Sequence, residues 1–424
     1  MWKLIFRNLL SRRRRLVWLL CEIVIVSIVI WVFVDPIVVN GYIDTLPLGY
    51  DRDRLCMIQT ARNYDEERSD TASVSADMRN LLIRICNLPE VESATIVDWS
   101  YPDAIGSSSI GVHKDSVWLS VQLMPMLSGW NYFTTYGIHA VPGNNDAGEL
   151  QDMTPKQGDI IVTRTLAELL FPGVNATGHY IGEDSEDFEV DDAYRIAGVI
   201  EDVRPQSVTA ESLLAFKAYE FNPDLCYNIV VRLKDGVSMP RFIHDFKESI
   251  SEGIQSGDYS CKDIVAYDKL SEEYAYGRGV TNELRLKIIL SVFFFANLLL
   301  GVAGVFYLQT RKRSEEAGVM RSFGATPWHI RLMLLGEGWV LSTIGCLIGC
   351  LIYLQYAVKE GLARANGNVG YDAYDLSWVS NMPVHFILVS LVVYLLMVII
   401  VSIGISIPAW RISRVSPVEA LRHE

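Results

Sequence analysis

Residues 311–330 read RKRSEEAGVMRSFGATPWHI, a short, charged stretch between two hydrophobic runs, 286–308 and 332–356. At about 1.5 Å per residue, each run is long enough to cross a hydrocarbon core of roughly 30 Å. A polar joint between two spans lies at a membrane face. It is expected to be cytoplasmic, and to be where an energy source outside this chain pushes on membrane helices.

Two further runs complete the set. Residues 16–34 hold Glu22 as their only charge, and 384–407 hold none. A cleavable signal peptide is disfavoured for the first, because the run is too long and no small-x-small site precedes Asp35. The predicted spans are 16–35, 286–308, 332–356 and 383–407. Residues 1–15, MWKLIFRNLLSRRRR, put Trp2, Ile5, Phe6, Leu9 and Leu10 on one helical face, which reads as an amphipathic surface helix against membrane lipid. Positive charge then sets the orientation. Six Lys/Arg precede the first span, five lie in 309–331, and Arg411, Arg414 and Arg422 lie in the tail 408–424. Four spans put all three on one side, which places both termini in the cytoplasm and 36–285 and 357–382 outside.

The charge balance agrees with a two-part molecule. Of a formal −13, residues 1–35 carry +4 and 286–424 carry +3, which leaves −20 on 36–285. So acidic a segment is a poor candidate for nucleic acid or anionic lipid. Half the chain is hydrophobic and the mean hydropathy is +0.22. Cys21, Cys346 and Cys350 fall in apolar runs. Cys56, Cys86, Cys226 and Cys261 fall in the polar region, where an oxidising compartment would allow two disulfides by three pairings.

Residues 36–285 show mixed α and β patterning. Strands are predicted at 54–60 and 94–99 around a helix at 73–86, and at 227–233 and 262–267 around a helix at 239–254. The recurring β-α-β order predicts a subdomain of two similar halves (54–99 and 226–268), with a second subdomain inserted at 101–225. Residues 269–285 read as a helix running without a break into the second span.

Individual residues carry a bland and a sharp reading. Glu22 and Glu337 are acids within spans, for which snorkelling or hydrogen bonding between helices competes with a proton or substrate role. Gly345 and Gly349 form a GxxxG, and Gly301 and Gly304 add small residues to the second span. These allow close helix packing, within one subunit or across a dimer. Gly324, followed by Ala325, Thr326 and Pro327, reads as a turn, and Gly318 as a point of close approach. No HExxH or GxSxG occurs, and His113, His139 and His179 lack metal-ligand spacing, so neither a catalytic nor a metal site is predicted. Asn175-Ala-Thr fits a glycosylation sequon. The acidic run 183–192 has two readings, a cation site and a solvated loop, of which the solvated loop is favoured.

Three stretches resemble the MacB/FtsX-like ABC transporter permeases. Residues 316–325, EAGVMRSFGA, are similar to that family's EIGIRRALGA-type motif. Residues 408–421, PAWRISRVSPVEAL, resemble its carboxy-terminal signature through Pro408, Ala409, Arg411, Pro417, Glu419, Ala420 and Leu421. Residues 160–172, with Gly178, Ile181 and 195–203, are similar to its extracytoplasmic domain. Ala317 and Met320 depart from the usual apolar and basic residues, leaving Arg321 alone of a basic pair.

The resemblance implies a membrane α-helical fold of four transmembrane helices, with a mixed α/β extracytoplasmic domain of two subdomains inserted between helices 1 and 2. It implies the bacterial inner membrane, with the large domain in the periplasm. It implies a homodimer, or a pairing with a similar permease, bound to two copies of a separate ABC ATPase that holds the ATP and Mg. No GxxxxGK[ST] phosphate loop occurs in this sequence, so no cofactor and no ATP hydrolysis are expected of this chain. Coupling to the ATPase falls to Arg311, Arg313, Glu315, Glu316, Gly318, Arg321, Gly324 and Ala325, with the two glutamates on a short cytoplasmic helix. A periplasmic adaptor and an outer-membrane component are further partners of this type of system. Expected functions are efflux or extraction of a peptide, drug or lipoprotein, or FtsX-like control of a cell-wall enzyme without transport.

Overall fold

The computed structural model describes residues 13–63, 71–104, 108–154, 158–184, 193–210, 213–250, 253–363 and 378–413. The amphipathic helix expected over 1–15 lies almost wholly outside them. The chain divides into a helical unit, built from its first and last parts, and an α/β unit between them.

The first apolar run forms α1 (Arg13–Ile43), which continues through Pro36 eight residues beyond the expected end of the span. Chain order in the α/β unit is then β1 (Leu55–Arg62), α2 (Thr71–Cys86), β2 (Val91–Val97), β3 (Ser108–Lys114), β4 (Val117–Leu127), α3 (Tyr132–Tyr136), α4 (Ala147–Leu150), β5 (Asp159–Thr163) and α5 (Arg164–Leu170). It continues with β6 (Tyr180–Asp184), β7 (Ala193–Ile200), β8 (Leu214–Tyr219), β9 (Asn228–Leu233), α6 (Met239–Asp245), β10 (Gln255–Ser256), β11 (Tyr259–Ala266) and α7 (Tyr267–Gly277).

Strands from the two flanking segments share one antiparallel sheet, in the order β10-β11-β1-β9-β2. Alternation along each strand gives that sheet two buried faces. On β1, Cys56 and Ile58 pack with Ile229, Val231 and α2, whereas Leu55 and Met57 pack with Val230, Tyr136 and Tyr267. The apolar positions of α2, Val74, Met78, Leu81, Leu82 and Ile85, recur at helical spacing and are all buried. The inserted segment closes into a six-stranded barrel, β3-β4-β8-β5-β7-β6, with parallel pairs β4–β8 and β5–β7. The helix expected over 239–254 is shorter: α6 ends at Asp245 and passes into a π-type turn at Phe246–Ile250.

The helix expected to run unbroken from 269 into the second span is interrupted. Tyr267–Gly277 ends at Arg278, and Gly279 takes φ +79° before α8 (Val280–Ser322) begins. The left-handed backbone there is costly for any residue with a Cβ, and glycine permits it. After α8 come α9 (Pro327–Glu360) and α10 (Met382–Ser413). Among the described residues, four helical segments are long and apolar enough to cross a membrane: Val17–Ile43, Val280–Val305, Pro327–Glu360 and Met382–Ser413.

Candidate functional site

The charged joint is not a loop carrying a short helix. The backbone of α8 stays helical through 311–318, so Glu315 and Glu316 belong to the same 43-residue helix as the second span. Arg, Lys and Glu are good helix formers, and nothing in RKRSEE stops propagation. What stops it is Gly324, at φ +88°. Ala325 N–H donates to the Met320 carbonyl and Gly324 N–H to the Arg321 carbonyl, both at 3.0 Å, the pairing of a Schellman cap. Thr326 then caps α9, its hydroxyl oxygen accepting from His329 N–H at 3.3 Å, and Pro327 takes the first turn, where no N–H is needed.

Two aromatic residues flank this turn and face outward: Phe323 is 88% exposed and Trp328 61%. Sequence reasoning passed over both, although an aromatic residue on each side of a Gly-Ala-Thr-Pro turn was there to be noticed. Gly318 lies on the helical backbone of α8. Arg321 and Ala325 are half-buried.

The tail motif starts inside a helix. Pro408 and Ala409 are buried within α10, and Arg411 donates to the Tyr307 hydroxyl at 3.3 Å with its guanidinium over the same ring. Ser413 accepts from Arg331 Nε at 2.9 Å, which ties α9 to α10. Pro417, Glu419, Ala420 and Leu421 lie outside the described residues.

The small residues separate into two kinds. A Cβ on Gly345 would overlap Ile23, one on Gly349 would overlap Ser27, and one on Gly301 would overlap the Glu22 carboxylate. All three therefore permit close approach of α1 within the same chain. Gly304 has open space where its Cβ would be. Glu337 is 2% exposed, inside the helical unit. All seven cysteines are free thiols, and burial pushes Cys261 up to about 11.

The α/β unit contains a buried polar network absent from the sequence reading. Asp103 sits in the left-handed region (φ +61°), with its N–H donating to the Pro205 carbonyl and its Oδ1 accepting from Ser207 N–H, both at 2.7 Å. Its Oδ2 accepts from Ser271 Oγ and, at 3.4 Å, from Tyr50. The Tyr136 and Tyr267 hydroxyls meet at 2.9 Å, and Tyr267 donates onward to the Pro102 carbonyl at 3.0 Å. Arg204 donates to the Ile43 carbonyl at 2.8 Å, and its own N–H donates to the Leu48 carbonyl. Burial holds the Tyr50, Tyr136 and Tyr267 hydroxyls well above the usual phenol range, and it draws Arg204 below the usual guanidinium value. The network joins the last residue of α1, the 48–50 segment, the 101–104 loop into the barrel, the 203–207 loop between β7 and β8, and α7. The nearest signal in the sequence was the placing of Arg204 directly after the 195–203 motif.

The MacB-like periplasmic core domain family matches residues 25–249, and the FtsX-like permease C-terminal family matches 288–417. The ABC transporter permease YtrF of Bacillus subtilis is 29% identical over 37% of this chain and 38% of its own length. The lipoprotein-releasing system transmembrane protein LolC of Xylella fastidiosa is 28% identical over 28% of this chain and 29% of its own. The chain thus spans well under half the length of the curated relatives it matches. The crystal structure of the periplasmic region of MacB from Actinobacillus actinomycetemcomitans is 14% identical, covering 53% of this chain and 94% of that one at a TM-score of 0.32.

Proposed function

Because this chain belongs to the MacB/FtsX-like family of ABC transporter permeases, we propose that it is the permease subunit that passes ATP-driven movement from a separate ATPase to its α/β domain. Two ATPase copies and a second permease chain complete the assembly, with ATP and Mg held by the ATPase. The observation that carries this reading is the continuity of α8. A single helix of about 65 Å, at about 1.5 Å per residue, contains both the apolar span and the charged segment. A displacement applied at its Ser322 end is carried along the span, because the helix holds no proline, a main cause of sharp kinks. The exposed Phe323 and Trp328 and the motif around Glu316 and Arg321 supply the contact with the ATPase.

At its other end α8 is preceded by Gly279 and α7, whose Tyr267 and Ser271 belong to the buried network. The domain so moved would act on cargo outside the membrane. A lipoprotein or another amphipathic molecule is the cargo class suggested by the likeness to the lipoprotein-releasing relative. The test is co-purification with the ATPase. Glu316→Ala with Arg321→Ala should lose association or ATPase stimulation, and retention of both would sink the coupling role.

A further inference from the structure

A buried Asp–His pair lies inside the helical unit, apart from the joint and the polar network. Asp35 on α1 is 3% exposed and His385 on α10 is fully buried. His385 Nε2 lies 2.6 Å from Asp35 Oδ1, and His385 Nδ1 lies 2.9 Å from the Val379 carbonyl oxygen. Asp35 Oδ2 accepts from Ala363 N–H at 2.9 Å. Packed beside them, Trp31 stacks on Tyr353 and Phe386 and donates to Ser390 Oγ.

The proton count follows from the acceptors. A carbonyl oxygen can only accept, so Nδ1 must carry a hydrogen. At 2.6 Å the contact between Nε2 and Oδ1 also needs a hydrogen. Either Nε2 carries it, giving an imidazolium against a carboxylate, or Oδ1 carries it, giving a neutral pair. Both states hold one proton more than a neutral imidazole beside an ionised carboxylate. Without that proton, the Nε2 lone pair would face a carboxylate oxygen in a water-poor site, or a shift of the ring hydrogen to Nε2 would leave the Val379 carbonyl without its donor.

We infer that Asp35 and His385 form a buried site for a single proton, which fastens both ends of the α9–α10 connection, at Ala363 and at Val379, to helix α1. Among the described residues, Tyr353 of α9 lies close enough to Asp35 to feel its charge, while Lys359 and Glu360 at the end of α9 are exposed. The fastening is present while the proton is bound and is lost as pH rises and the proton leaves.

The chemistry provides its own control. In Asp35→Asn, the side-chain oxygen still accepts from Ala363 N–H, and the amide N–H donates to Nε2 of a neutral histidine whose Nδ1–H still reaches Val379. The variant therefore reproduces the protonated pair without a titrating proton. Hydrogen exchange at the Ala363 amide, corrected for the intrinsic pH dependence of exchange, reads the fastening in the full chain in lipid nanodiscs. In the wild type, protection should be lower by about tenfold or more at an alkaline than at an acidic pH. In Asp35→Asn it should stay high at both, and in Asp35→Ala it should be low at both. Equal wild-type protection at the two pH values would overturn the proposal. So would an Asn variant as pH-sensitive as the wild type or unprotected throughout.

Discussion

Arg204 donates from its guanidinium to the backbone carbonyl of Ile43, at 2.8 Å and out of contact with water. A residue 161 positions downstream thereby holds Ile43, the last residue of α1. Replacing Arg204 with Met removes the donor and leaves that carbonyl buried without it, at a cost of about 1–3 kcal/mol. Thermal unfolding of the purified chain should register the loss. Arg204→Lys keeps a charge but cannot reproduce the planar fork, so it should recover only part of it.

Gly345 and Gly349 let α1 approach α9 more closely than any side chain would allow. Gly345→Leu must displace Ile23, and overpacking of this kind typically costs about 1–3 kcal/mol. Gly304→Ala meets nothing within 4 Å and gains helix propensity, so it should leave the monomeric chain at least as stable as the wild type. Should Gly304→Ala instead shift the population between one and two copies of the chain, measured by native mass spectrometry, that face of α8 contacts a second copy.

Gly279 separates α7 from α8 at a backbone angle that glycine adopts freely. Gly279→Ala is expected to destabilise by about 1 kcal/mol through strain alone, since the added Cβ has open space. The deeper effect is on coupling. If the break serves as a hinge, the alanine variant should bind the ATPase normally yet show altered ATPase stimulation, which can be measured side by side with association.

Asp98 gives a prediction in pH. Burial raises its carboxyl above the ordinary aspartate value, outweighing the Ser100 N–H bond to its Oδ1. A raised folded value means that the native state binds the proton more tightly than the unfolded chain. The contribution is therefore full below about pH 3.9 and is lost as pH rises through the raised value. Asp98→Asn keeps the oxygen that Ser100 uses and removes the titration. Its melting temperature should exceed the wild type's at neutral pH, with the gap closing in acid.

Much of this fold can be read from local pattern, because period and length are local properties. The alternation of Ile58 and Met57 between two cores marks a strand buried on both faces, and the helical spacing of Val74, Met78, Leu81 and Ile85 marks one face of a helix. The four apolar runs needed only length. The break at Gly279 was also written in the sequence, as Gly-Arg-Gly at 277–279, but the amphipathic pattern on either side hides it. The continuation of α8 into 311–322 was masked by charge, which signals solvent and not the end of a helix. The pairings were beyond reach. Asp35 and His385 are 350 residues apart, and Asp103 meets Tyr50, Ser207 and Ser271 only because three loop segments and helix α7 converge.

ATP-driven movement entering at the α8–α9 turn is proposed to reach the α/β domain. Hydrogen exchange over residues 203–207, in the permease–ATPase complex reconstituted in nanodiscs, tests it most directly. The account predicts that exchange there differs between nucleotide-free and ATP-trapped complexes. It predicts that the difference disappears in the Glu316→Ala, Arg321→Ala chain. Identical exchange in the two nucleotide states of a complex that is turning over ATP would contradict it.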